Sequence, residues 1–134
     1  MRAALVAATV LLLAAPVVAQ DDRKATVEAV LDKAIAEHTI FLNCTATERD
    51  SYDLVIKGWQ ADVLAAVPLL AENGFTGEEI AAFTTRAAID ALLMKDRPFG
   101  EIIDYCMSQG DWIRALYEMR YTVLPLAIRK ELDR

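Results

Sequence analysis

The side chains with the most definite chemistry in this sequence are its two cysteines, Cys44 and Cys106. They are too far apart in sequence for a C-x-x-C redox pair. In an oxidising compartment an isolated pair forms one disulfide, here Cys44–Cys106, and closing so long a loop contributes at most about 4 kcal/mol in the chain-entropy model. The other reading is a reactive Cys44: it precedes a helix start, and the positive end of a helix dipole favours a thiolate.

His38 is the one histidine. It falls on an apolar helical stripe, where an imidazole is normally a hydrogen-bonded core or rim residue, and catalysis or metal binding would need partners brought from elsewhere in the chain. Asp50 with Asp53, and Glu101 with Asp104, are spaced to share helix faces, as the carboxylates of any solvated face are. No EF-hand loop, H-E-x-x-H, G-x-S-x-G or phosphate-binding loop is present, so no catalytic residue, metal ligand or cofactor is assigned. Aromatic side chains remain. Trp59 is joined by Tyr105, Trp112, Tyr117 and Tyr121, with Arg97, Arg114 and Arg120 among them. With His38 they are the candidates for a ligand or partner patch, although aromatics also close helical cores with their polar tips at the surface.

What positions these residues begins with an export signal. Arg2 is followed by an apolar run from Ala3 to Ala15, and Val17-Val18-Ala19 supplies the small residues of a cleavage site. Residues 1–19 are therefore expected to be a signal peptide, and residues 20–134 a single helical domain beginning at Gln20. Localisation is then periplasmic or secreted. The formal charge of the 134-residue chain is −6, and loss of Arg2 makes it more negative. Such a surface repels phosphate backbones, which excludes nucleic acid as a partner. No stretch after the leader is expected to span a membrane.

Apolar spacing in the mature chain is helical nearly throughout. Val27, Leu31, Ala34, Ile35, His38 and Phe41 recur every three or four residues from Asp22 onward, the stripe of a first helix. Thr45-x-x-Glu48 reads as a capping box for a second helix striped by Tyr52, Val55, Ile56, Trp59, Val63 and Leu70. Pro68 predicts a kink in it, and Asn73-Gly74 its end. Thr76-x-x-Glu79 is another capping box, with Phe75 and Ile80 placed as a hydrophobic staple. The third helix is expected to reach Lys95, a short fourth to begin at Asp96-Arg97-Pro98 and run through Cys106, and a fifth, capped by Asp111, to bend at Pro125. The fold class is all-α: a compact bundle of about five helices stapled by one disulfide.

The order of helix, Cys44, long helix, Gly74-Phe75-Thr76-Gly77-Glu78-Glu79-Ile80-Ala81-Ala82-Phe83, Cys106 and Gly110 resembles small exported alphaproteobacterial proteins of unknown function. Cys44, Gly58-Trp59 and Tyr105-Cys106 are similar to features of the HdeA-type periplasmic acid-stress chaperones, although this chain is longer and its cysteine spacing wider. That second resemblance implies a small helical protein that loosens in acid and holds clients. The expected function is non-enzymatic: binding a protein partner in the cell envelope. The alternatives are a small ligand in an aromatic-lined cleft with Trp59, Tyr105 and Trp112, or acid-stress chaperoning.

Overall fold

A computed structural model describes residues 15–134. The signal peptide expected over residues 1–19 lies outside the described residues except for its end, which is part of the first helix. Among the described residues there are seven helices and no strand: α1 (Ala15–Cys44), α2 (Arg49–Glu72), α3 (Gly77–Ala87), α4 (Ile89–Leu92), α5 (Phe99–Ser108), α6 (Trp112–Tyr117) and α7 (Leu124–Leu132). The class is as expected, and the helix count is seven rather than about five. Cys44 and Cys106 are joined in a disulfide with Cα atoms 5.6 Å apart, which fits an oxidising environment and removes the free-thiolate reading.

α1, α2 and α7 pack on one another, with α3 and α4 across α1 and α2. The stripe on α1 supplies Val27, Leu31, Ala34, Phe41 and Leu42 to the core, α2 supplies Val55, Trp59, Ala66 and Leu70, and α7 closes it with Leu124 and Ile128. Neither α5 nor α6 has a fully buried side chain. α5 packs on α1 through partly buried side chains and is tied to its end by the disulfide. One helix among the described residues, α2, is long and apolar enough to cross a membrane by length and composition alone, a test that the core helix of a bundle also passes. In this fold its buried residues face the bundle, while Leu54 and Leu64 are exposed.

Each departure from the expected helices has a local cause. Thr45 caps nothing: α1 continues to Cys44, and the buried Thr45 hydroxyl donates to the Phe41 carbonyl at 2.7 Å, closing that helix. Glu48 caps α2 instead, accepting from the Ser51 amide at 2.8 Å. α2 continues through Pro68 and ends as expected. Gly74 sits at φ +85° and the Phe75 amide reaches back to the Leu70 carbonyl at 3.1 Å, the 6→1 bond of a Schellman ending. A Cβ at Gly74 would also run into the Gln20 amide.

The expected third helix is cut at Ala88, whose ψ of 140° is extended. The cause is tertiary. Trp59 buries its indole and donates Nε1–H to the Ala87 carbonyl at 2.7 Å, and the Ala91 amide turns to Ala88 instead. The expected fifth helix is likewise split. α6 ends at Tyr117 in a Schellman pattern, with Met119 to the Leu116 carbonyl and Arg120 to the Ala115 carbonyl, which places Met119 at φ +54°. Asp111 makes no side-chain cap and pairs with Arg114 at 3.3 Å.

The Thr76 box is present in full: Thr76 Oγ1 accepts from the Glu79 amide at 3.1 Å, and Glu79 Oε2 from the Thr76 amide at 2.7 Å. Glu79 also pairs with Lys24 of α1 at 3.2 Å, and these contacts hold its carboxyl below the ordinary range. Thr76→Ala is expected to cost about 1 kcal/mol. Urea denaturation should show Glu78→Gln costing much less, and equal losses would mean that the cap does not anchor α3.

Candidate functional site

Two concavities between them take in His38, both cysteines, Trp59, Trp112 and Tyr121. The larger, 540 Å³, opens over the disulfide. α5 begins after Pro98, and its residues Phe99, Ile103 and Met107 follow one another every four positions, so they share a face. That face is uncovered: Phe99 is 64% and Met107 80% exposed. Ile102 and Cys106 complete the α5 wall, and Trp112 and Ile113 of α6 line the groove with Cys44, Leu93 and Met94 among others.

Asn43 shapes the α4 side of this groove. Its side-chain amide donates to the Thr39 and Leu92 carbonyls at 2.7 and 2.9 Å, while Oδ1 accepts from the Met94 amide at 2.9 Å. Leu93 is thereby bracketed between two bonds to one buried side chain. With every polar atom of the amide engaged, Asn43 is a structural clamp.

The second concavity, 190 Å³, lies between α1, α2 and the segment leading to α7. His38 is 4% exposed and stacks on Trp59 with ring centroids 4.2 Å apart and planes at 26°. Tyr121 meets His38 edge-on at 5.6 Å and Phe41 at 5.3 Å. The His38 Nδ1 atom is 2.8 Å from the Ala34 carbonyl, which only accepts, so Nδ1 carries the proton and Nε2 the lone pair. Burial holds the imidazole below its ordinary pKa, opposed by that carbonyl and by the charges of Asp62 and Glu37. Asp62, one turn beyond Trp59 on α2, is pushed up by burial, opposed by the Leu124 amide and by His38. No ion pair among the described residues involves Asp62.

Two residues lining this cavity are unfavourable for backbone reasons. Gly58 lies inside α2, where glycine costs roughly 0.5–1 kcal/mol relative to alanine, and a Cβ there would meet nothing within 4 Å. Met119 holds the left-handed conformation that glycine adopts without strain, at a cost of about 1–2 kcal/mol. Neither choice is explained by packing.

The six residues expected to form one patch are divided between sites. His38, Trp59 and Tyr121 meet at the small cavity, while Trp112 lines the groove and shares a shallower concavity with Tyr121. Tyr117 is exposed and hydrogen-bonds Ser51 at 2.7 Å. Tyr105 is half-buried on α5, its hydroxyl pushed up by burial, and lines neither concavity. Trp59, Tyr105 and Trp112 therefore do not share the cleft expected of them. Sequence reading missed Asp62, named Gly58 only for a resemblance and not as a site residue, and missed the α5 row, whose spacing of four was the available signal. No group of three or more histidine, cysteine or acidic residues that could hold a metal ion occurs among the described residues. The chain matches no protein-family model, no curated protein and no solved structure, so the groove and the cavity are the whole basis of a functional reading.

Proposed function

We propose that this is a non-enzymatic binding protein of the cell envelope, exported to the periplasm, whose groove along α5 receives an apolar segment of another protein. The observation that carries the reading is the uncovered row Phe99, Ile103 and Met107, which lines the groove together with the exposed Ile113. Contiguous apolar surface of this kind marks interaction sites. Methionine suits such a surface because its unbranched, polarisable side chain adapts to the partner's shape. Anchors every three or four residues along a partner helix would match the α5 spacing. The disulfide supports an oxidising compartment and also ties the α5 wall of the groove to the end of α1, since α5 has no fully buried side chain of its own.

A photo-crosslinking amino acid at Met107 tests the reading, with Leu64 as the control because it is 75% exposed on α2 and lies outside the groove. Irradiation of cells exporting the full chain should give one adduct of protein mass from position 107 and none from 64. Phe99→Asp should abolish that adduct. The same adducts from both positions would overturn the reading. An adduct of small-molecule mass at 107 would also overturn it, in favour of a small apolar ligand.

A further inference from the structure

Several locally unfavourable residue choices converge on the 190 Å³ cavity. The proton on His38 Nδ1 is committed to the Ala34 carbonyl, and Nε2 has no partner among the described residues. No fully buried side-chain polar atom among the described residues lacks a partner, so Nε2 retains some exposure, and His38 lines the cavity. Asp62 adds a half-buried carboxylate with no cation beside it. At the exposed mouth, Gly58 omits a side chain that would have met only open space, and Met119 keeps a left-handed backbone. Proteins retain local violations of this sort where a site requires them.

The polar groups decide what fits. Neutral His38 presents an acceptor at Nε2, ionised Asp62 presents acceptors only, and the walls include the rings of Phe41, Trp59 and Tyr121. A ligand here must donate hydrogen bonds, is favoured by positive charge, and gains from aromatic neighbours. We propose that this cavity is a binding site for a primary ammonium group, carried either by a small amine or by a lysine side chain of a partner. Nε2 accepts one N–H, the Asp62 carboxylate accepts another, and the aromatic rings enclose the carbon chain. The site does not depend on the α5 groove.

The charge state imposes a pH dependence. The titratable groups about the cavity are His38 and Glu37 of α1, Asp62 of α2 and Tyr121 before α7, while α6 contributes only Leu116. An imidazolium at His38 would repel the ligand and pair with Asp62 in its place. Burial keeps His38 neutral below its ordinary range and Asp62 ionised only above its own. Binding is therefore complete near neutrality and lost as acid charges His38 and neutralises Asp62.

The test is titration of the full mature chain, carrying Trp112→Phe so that Trp59 is the single emitter, with n-butylammonium chloride, read by fluorescence and by amide NMR shifts, with n-butanol as the neutral control. Saturable binding of the ammonium, about tenfold weaker or absent for the alcohol, is expected. Asp62→Asn should weaken it about tenfold, whereas Asp53→Asn on the same helix should not. Gly58→Leu should raise the melting temperature while weakening binding, and a protein that is more stable but binds less excludes misfolding as the cause. Met119→Gly should stabilise by relieving the backbone. A blocked Gly-Lys-Gly peptide that binds as well as the free amine would point to a partner's lysine, and its exclusion to a small amine. Absence of saturable binding, or equal binding by Asp62→Asn, would overturn the proposal and leave a water-filled cavity.

Discussion

Replacing Cys44 and Cys106 together by alanine is expected to cost about 3 kcal/mol, roughly 10–15 °C in melting temperature. The disulfide closes a separation of 62 residues, for which loop-closure entropy sets an upper value of about 4 kcal/mol. Its location makes the effect uneven along the chain. α1, α2 and α7 share a core of fully buried side chains, whereas α5 contributes none and is tied to α1 through Cys106. Without the bond, α5 should open locally before the bundle unfolds. Hydrogen exchange should show Phe99–Ser108 losing protection while α1, α2 and α7 retain theirs. An unchanged melting temperature with α5 still protected would show that surface packing alone holds the helix. The groove should fail with α5, so crosslinking from Met107 should fall in this variant while ammonium binding at His38 continues.

Asn43→Ala should cost about 3 kcal/mol, because one buried side chain satisfies three backbone groups on two segments. Its removal leaves the Leu92 carbonyl and the Met94 amide without the partners that bracket Leu93. Asn73→Ala provides the comparison. Asn73 makes a single side-chain bond, to the Leu69 carbonyl at a half-exposed helix end, and its loss should cost less than 1 kcal/mol. Urea denaturation at constant m-value separates the two variants, and similar losses would mean that water replaces the Asn43 bonds. The same clamp bears on chemical modification. Asn43-Cys44-Thr45 has the form of a glycosylation acceptor, but the Asn43 amide is buried and fully engaged.

His38 contributes to the acid behaviour of the fold. Its folded pKa lies below the ordinary value through burial, so the unfolded chain takes up this proton first as pH falls. That contribution to stability is present above pH 6.5, the unfolded value, and is lost as pH falls toward the folded value. A protein that loosens in acid is one feature implied by the resemblance to acid-stress chaperones. Loosening alone is a property of the buried histidine and identifies no client-holding activity.

The sequence by itself determined what depends on neighbours within a turn or two of helix. The stripe from Val27 to Phe41, the reciprocal Thr76 and Glu79 cap, and the Asn73-Gly74 stop are set by side chains acting on backbone three to five positions away. Those interactions survive whatever surrounds them. The pairing of the two cysteines was legible for a different reason, namely that no other thiol competes. Only the tertiary structure decided where the third expected helix breaks, because the Ala87 carbonyl is taken by an indole from α2. It also decided that His38, Trp59, Asp62 and Tyr121 meet while Tyr105 and Tyr117 stand apart. An amphipathic stripe marks which side of a helix is apolar, but whether that side is covered depends on where distant helices pack. The stripe on α1 is buried by α2 and α7, and the row on α5, built from the same kinds of residue, is left open.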